Sequence, residues 1–165
     1  MSATNYAFHG KGPPLSLPEL REKVGETFFS DCMVIDQARI DAFADVSDDH
    51  QFLHVDPVRA AETPFGTTIA HGFLTLSMLS RLAYSCHPAV AGVTMSINYG
   101  FDRLRFLGPV PSGSRLQAVF TLAELEERRP GEVTFHWDVE MQVDGAPKPV
   151  LAARWITRRY IHVSP

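Results

Sequence analysis

The sequence predicts an α+β domain in which an antiparallel sheet wraps around a long apolar helix. The apolar residues between Ile69 and Ala83 recur at helical spacing as two adjacent stripes, which indicates a helix buried on most of its sides. Farther along, the period changes to two, because apolar and polar residues alternate without a break from Glu132 to Val143. A buried helix followed by half-buried strands is typical of α+β domains.

The elements before the buried helix are shorter. Aspartate is a preferred N-cap, and both Asp36 and Asp56 precede a segment with helical features; Pro57 suits the first position of a helix. In chain order the sequence predicts an extended lead-in over residues 1–18, a strand over 26–35, a helix from Asp36 to about Asp45, a polar loop over 46–55 and a short helix from Pro57.

The elements after the buried helix are strands joined by turns. Besides 132–143, strand-like patterns cover residues 94–101, 115–122 and 150–160, and Pro130-Gly131 and Asp144-Gly145 supply turns. One sheet with one solvent-facing side is expected. If the strand over 94–101 lies at a sheet edge, pairing with another chain would protect it, which favours a homodimer.

Composition limits the function classes. The 165 residues suit a single domain spanning 1–165, and the 21% charged and 45% hydrophobic fractions are ordinary for a globular protein. A net charge of −4 gives no basic field for nucleic acid or an anionic membrane, and no apolar run is long enough to span a bilayer. Without a secretory signal pattern or regular cysteine spacing, we expect a cytoplasmic protein with both Cys32 and Cys86 buried.

The segment from Ser47 to Asp56 carries the chemistry, with three acids and two histidines in ten positions. Adding water to a conjugated double bond needs a base for the water and an acid for the carbon beside the carbonyl. A carboxylate and an imidazole that share one water supply both. A loop that folds back on itself would bring Asp49 and His54 to one point.

Two alternatives remain open from the residues alone. The segment is also compatible with a solvated turn whose aspartates and serine bond the local backbone. A metal site is the other alternative, because histidine nitrogens and aspartate oxygens are metal ligands. Its candidate ligands are His50 and His54 with Asp48, Asp49 or Asp56, although a helix cap explains Asp56 better.

Four stretches carry a family resemblance. Residues 43–56 (FADVSDDHQFLHVD), 63–74 (TPFGTTIAHGFL), 96–106 (SINYGFDRLRF) and 109–115 (PVPSGSR) together resemble the MaoC-like hydratases, especially the branch related to nodulation protein N. The resemblance implies a hot-dog fold, usually dimeric, and an R-specific enoyl-CoA hydratase. Such an enzyme reversibly converts a trans-2-enoyl-CoA into a (3R)-hydroxyacyl-CoA without a cofactor or metal.

The resemblance also assigns roles. It makes Asp49 and His54 the catalytic pair, gives Gln51 a part in ordering the loop, and places the thioester oxygen at the backbone N–H of Gly72. A helix start offers free N–H groups to a developing negative charge, and glycine permits close approach, although close packing of helix on sheet would explain Gly72 as well. We expect His71 to be a buried structural histidine rather than a second base.

One position departs from the family pattern. Members usually have glycine immediately before the catalytic aspartate, where this chain has Asp48. If the glycine takes a positive φ, aspartate can adopt it at some cost.

Two expectations remain, one about contacts with an acyl-CoA substrate and one about alternative functions of the fold. Coenzyme A phosphates could meet cations, but Arg103, Arg105, Arg115 and Lys148 are better explained as surface charges. Two other functions suit a hot-dog domain: a thioesterase, and a module that binds an acyl thioester or a partner without chemistry.

Overall fold

The structure is a computed structural model that describes residues 10–162. Its helices are α1 (Leu17–Glu22), α2 (Gln37–Ser47), α3 (Phe52–Val55), α4 (Pro57–Ala61), α5 (Gly72–Ser77) and α6 (Leu79–Tyr84). Its strands are β1 (Lys11–Leu15), β2 (Thr27–Phe29), β3 (Met33–Ile35), β4 (Pro88–Val90), β5 (Val93–Phe106), β6 (Ser114–Arg129), β7 (Glu132–Val143) and β8 (Leu151–Ile161).

The main sheet has six strands. Its order is β2-β6-β7-β8-β5, with β3 also paired to β6, and every pairing in it is antiparallel. Strands β1 and β4 form a separate parallel pair. The α+β prediction of an antiparallel sheet packed on apolar helices is therefore confirmed.

The core lies between α5–α6 and one face of the sheet. The alternation along β7 sets that face, because Val133, Phe135, Trp137, Val139 and Met141 are all buried. Leu74, Leu79, Leu82 and Ala83 bury the helical side of the same core. On the other face of β7, Asp138 and Glu140 are exposed, as the predicted solvent-facing side requires.

The predicted helix over 69–83 needs two corrections. Ile69 and Ala70 are extended, because their N–H groups donate to the carbonyls of Leu53 and Val110, and the helix begins at Gly72. The helix also divides at Met78, whose N–H is shared between the carbonyls of Leu74 and Thr75. Helical spacing alone shows neither the extended start nor this tightened turn.

The predicted strand over 26–35 is two strands. Phe29 pairs with Val119, and Met33 pairs with Leu116. Between these two pairs the chain advances four residues on the β2–β3 side and three residues on β6. The extra residue forms a bulge-like interruption at Ser30–Cys32. Cys86 is buried as expected, but Cys32 lies in this interruption and is exposed, which corrects its predicted burial.

The amino-terminal half matches its predictions in part. Residues 1–9 of the predicted lead-in lie outside the described residues; β1 is extended as predicted, and α1 begins at Leu17. Asp36 and Asp56 are confirmed as caps, since their side chains accept from the N–H groups of Arg39 and Arg59. The loop predicted over 46–55 is shorter: α2 runs to Ser47 and Phe52–Val55 forms a helical turn.

Strand β5 lies at the edge of the main sheet and is largely exposed. Its exposed side chains include the large hydrophobics Met95, Ile97, Tyr99 and Phe101. Within residues 10–162, no helix is long and apolar enough to cross a membrane.

Candidate active site

The site begins at a sharp turn after α2. Asp48 caps the helix in the left-handed conformation, with φ 56° and ψ 20°, and is the only residue other than glycine with positive φ among residues 10–162. This is the conformation expected if the usual glycine has positive φ. The turn leads directly into Asp49, whose side chain is exposed and whose Oδ1 accepts a long hydrogen bond, 3.4 Å, from the Gln51 N–H.

His54 lies on α3 with 8% of its surface exposed. Its Nδ1 is 2.7 Å from the carbonyl oxygen of Ile69, and a carbonyl oxygen can only accept a hydrogen bond. Nδ1 therefore carries the proton, and in the neutral ring Nε2 keeps its lone pair. A histidine held in this tautomer presents a base to whatever faces Nε2.

His71 lies beneath this pair. Its ring stacks on the ring of His54, with centroids 3.7 Å apart and an interplanar angle of 28°. Its Nε2 is 2.9 Å from the backbone oxygen of Asp49, and only 3% of its surface is exposed. The structure confirms His71 as the buried histidine, hydrogen-bonded near the loop, that the sequence predicts.

Gln37 and Thr68 support the backbone of His54, and no sequence pattern predicts either residue. The Gln37 side chain donates to the backbone oxygen of His54 at 2.7 Å and accepts from the Thr68 hydroxyl. The Thr68 side chain is buried, and the contact spans 31 positions of the chain. No local pattern indicates such a contact.

Gly72 is the first residue of α5, where a helix leaves its backbone N–H groups without intrahelical partners. A Cβ added at Gly72 would lie 3.2 Å from two carbon atoms of the Phe106 ring. The close packing of helix on sheet that the sequence left open as an explanation of Gly72 is therefore present.

Gln51 takes part in the loop through its backbone. Its N–H donates to Asp49, and its carbonyl accepts from the His54 N–H at 2.9 Å. Its side chain is exposed. The ordering contacts seen at this position are those of the main chain.

The potential metal ligands differ from the predicted set. Asp49, His54 and His71 each bring one ligand atom within 4.8 Å of the others. His50 instead faces Asp45 at 3.8 Å, and Asp56 caps α4. The atoms that approach one another are thus those of the predicted catalytic pair plus the buried histidine. A carboxylate beside a neutral imidazole is also the arrangement that positions and deprotonates a water molecule.

The four candidate cations lie elsewhere. Arg103 and Arg105 line a depression on the outer face of the sheet together with Arg154. Arg115 pairs with Asp144 at 3.1 Å, and Lys148 lies near the turn that follows β7.

Comparison with known proteins identifies relatives over most of the chain. The family model described as MaoC like domain matches residues 21–143. Nodulation protein N of Rhizobium leguminosarum bv. viciae is 45% identical over 145 residues, which cover 87% of this chain and 90% of that protein. The 3-hydroxyacyl-thioester dehydratase Z of Mycobacterium tuberculosis is 46% identical over 137 residues, which cover 83% and 88%.

Solved structures agree with this result. The (R)-hydratase from A. caviae involved in PHA biosynthesis superposes with a TM-score of 0.65 and 28% identity, covering 81% of this chain and 94% of that one. The expectation of a hot-dog fold is confirmed.

Proposed function

Because the chain belongs to the MaoC-like domain family, we propose that it is a lyase that reversibly hydrates a trans-2-enoyl-CoA to a (3R)-hydroxyacyl-CoA. One observation carries the proposal: the Asp49 carboxylate and the imidazole of His54 converge at the start of α5. The names of a dehydratase relative and of the (R)-hydratase neighbour support the same reaction class.

In this proposal Asp49 and His54 hold one water molecule between them. The His54 Nε2 lone pair and the Asp49 carboxylate accept hydrogen bonds from the water, and its oxygen attacks C3 of the enoyl group. The proton released passes through the pair to C2, so that the water supplies both the hydroxyl group and the new hydrogen. The reverse sequence removes water from the hydroxyacyl thioester.

As the bond to C3 forms, negative charge develops on the thioester oxygen. The N–H of Gly72 is the donor we assign to that oxygen, because it lies at a helix start. The loss of one such donor costs about 100-fold or more in rate in other enzymes. The small size of Gly72 serves both needs: it leaves room for the Phe106 ring on one side and for substrate at the N–H.

The exposed edge of β5 supports a homodimer. Its free backbone groups and the exposed side chains of Met95, Ile97 and Tyr99 favour pairing with β5 of a second copy. Sedimentation is expected to give a dimer, and Ile97→Lys is expected to shift it toward monomer. A monomeric parent protein would contradict this assignment.

Hydration of crotonyl-CoA tests the function directly. The conjugated enoyl thioester absorbs more strongly than its hydrated product, so activity appears as a loss of absorbance. Asp49→Asn and His54→Gln are each expected to abolish most of it while circular dichroism stays unchanged. His50→Gln is the matched control, because His50 is exposed and faces Asp45; its rate is expected to match that of the parent.

Three results would overturn the proposal, and two of them identify what replaces it. Undiminished rates in both site variants would contradict the roles of Asp49 and His54. Release of free thiol from acyl-CoA, without hydration, would identify a thioesterase. Tight binding of acyl-CoA across chain lengths with no turnover would identify a non-catalytic acyl-thioester module.

A further inference from the structure

His71 contacts both members of the proposed pair without belonging to it. One edge of its ring reaches the backbone of Asp49, and one face covers the ring of His54. We infer that His71 is a positioning residue for this pair, holding Asp49 by a hydrogen bond and His54 by ring stacking. The inference rests on the proposed function, since it concerns the geometry of that reaction.

The hydrogen bonding of His71 specifies which ring nitrogen carries the proton. The backbone oxygen of Asp49 only accepts, so Nε2 of His71 is the donor in the 2.9 Å contact. Nδ1 is buried and has no hydrogen-bond partner among the described residues. A proton there would be a buried donor without an acceptor, which is unfavourable. His71 and His54 therefore hold opposite tautomers, with the proton on Nε2 in His71 and on Nδ1 in His54.

The bond to Asp49 ties the turn to a distant part of the chain. Asp48 has a left-handed backbone, and the hydrogen bond that the Asp49 carboxylate accepts within its own loop is long, 3.4 Å. The bond from His71 reaches across 22 positions of the chain and ties the turn to the start of α5. Because Gly72 follows His71 directly, this bond also sets the distance between Asp49 and the proposed oxyanion donor.

The stack on His54 restricts a second degree of freedom. The hydrogen bond from Nδ1 to Ile69 fixes one point of the His54 ring, but the ring can still tilt about that bond. The His71 ring, with its centroid 3.7 Å from that of His54, blocks the tilt on one side. It thereby holds the orientation in which a His54 ring nitrogen lies within 4.8 Å of a carboxylate oxygen of Asp49. The Phe43 ring packs against the His71 ring, with centroids 5.0 Å apart, and helps to hold His71 in place.

Two substitutions separate the two contacts. His71→Phe keeps a ring to stack on His54 but has no donor for Asp49, whereas His71→Gln keeps a donor and removes the ring. Each is expected to lower kcat for crotonyl-CoA hydration by about 10- to 100-fold, since misplacement of reacting groups by about 1 Å has effects of that size. The single substitution His71→Leu, which removes both contacts, is expected to lower kcat further. KM is expected to change by less than kcat in all three.

Controls separate positioning from simple stability. His50→Gln repeats the glutamine substitution at an exposed histidine and is expected to leave kcat unchanged. The folded fraction of each variant is measured by urea unfolding at the assay temperature. Parent-like kcat in both His71→Phe and His71→Gln would overturn the inference, as would a kcat loss equal to the loss of folded protein.

A spectroscopic readout does not depend on turnover. Nitrogen-15 shifts of the imidazole rings are expected to show His71 protonated at Nε2 and His54 at Nδ1 in their neutral forms. The reverse tautomer at His71 would overturn the inference. Failure of the proposed function would instead appear as an inactive parent protein with the predicted tautomers, so the two failures are distinguishable.

Discussion

His87 provides a quantitative test of the packing between helix and sheet. It is 1% exposed, its ring stacks on Trp137 with centroids 3.8 Å apart, and it meets Phe120 edge to face at 4.6 Å. Burial, and then the charge of Arg159, hold the pKa of His87 well below its ordinary value. The folded protein therefore keeps His87 neutral under conditions in which the unfolded chain binds a proton there.

The sign and size of the effect follow from proton linkage. As the pH falls through the ordinary histidine pKa of about 6.5, only the unfolded state gains the proton, so the free energy of unfolding decreases. Between pH 7.5 and pH 5.5 this decrease amounts to about 1.4 kcal/mol, provided that the pKa of folded His87 stays below that range. Stability is therefore fully present above the ordinary pKa and is lost on acidification.

Urea unfolding of the parent and of His87→Phe at both pH values measures this term. Other groups titrate in both proteins, so the difference between the two pH dependences isolates His87. The parent is expected to lose about 1.4 kcal/mol more than the variant. Parallel pH dependences for the parent and His87→Phe would refute the assignment of a buried neutral His87.

The remaining predictions concern the site. Asp48→Gly is expected to raise the free energy of unfolding by up to about 1 kcal/mol, because glycine adopts positive φ freely. Asp48→Val is expected to lower it by about 1 to 2 kcal/mol. Equal stabilities of the two variants would contradict the left-handed turn. Gln37→Met is expected to lower the free energy of unfolding by about 1 to 3 kcal/mol, because the Thr68 hydroxyl and the His54 carbonyl lose this partner. It is also expected to lower kcat. Unfolding and kcat like those of the parent would contradict the supporting role of Gln37. Gly72→Ala is expected to lower the free energy of unfolding by about 1 kcal/mol, because the added methyl group crowds Phe106. Adding Phe106→Leu to this variant is expected to restore the lost stability. A loss that the second substitution does not change would point to another cause.

Local patterns predict much of this fold. The caps at Asp36 and Asp56 and the alternation along β7 depend on residues a few positions apart, and all appear as predicted. The left-handed turn at Asp48 was expected on the condition that the glycine usual in the resembled family has positive φ, and Asp48 does have positive φ.

Features that depend on distant partners could not be predicted in the same way. The helical spacing from Ile69 looks continuous, yet hydrogen bonds to Leu53 and Val110 keep Ile69 and Ala70 extended. Gln37 supports His54 only because the chain brings Thr68 to it from 31 positions away. His71 was predicted as buried, but its simultaneous contacts with Asp49 and His54 require the folded loop.

Asp49 and His54 are proposed to act on one water molecule, and the stereochemistry of addition gives a decisive test. Crotonyl-CoA hydrated in D₂O gains deuterium at C2 and a hydroxyl group at C3. Proton NMR of the product gives their relative configuration, and chiral chromatography of the released 3-hydroxybutyrate gives the absolute configuration at C3. If one water held by the pair supplies both, we expect syn addition with the 3R configuration at C3. Anti addition, or a 3S product, would contradict it.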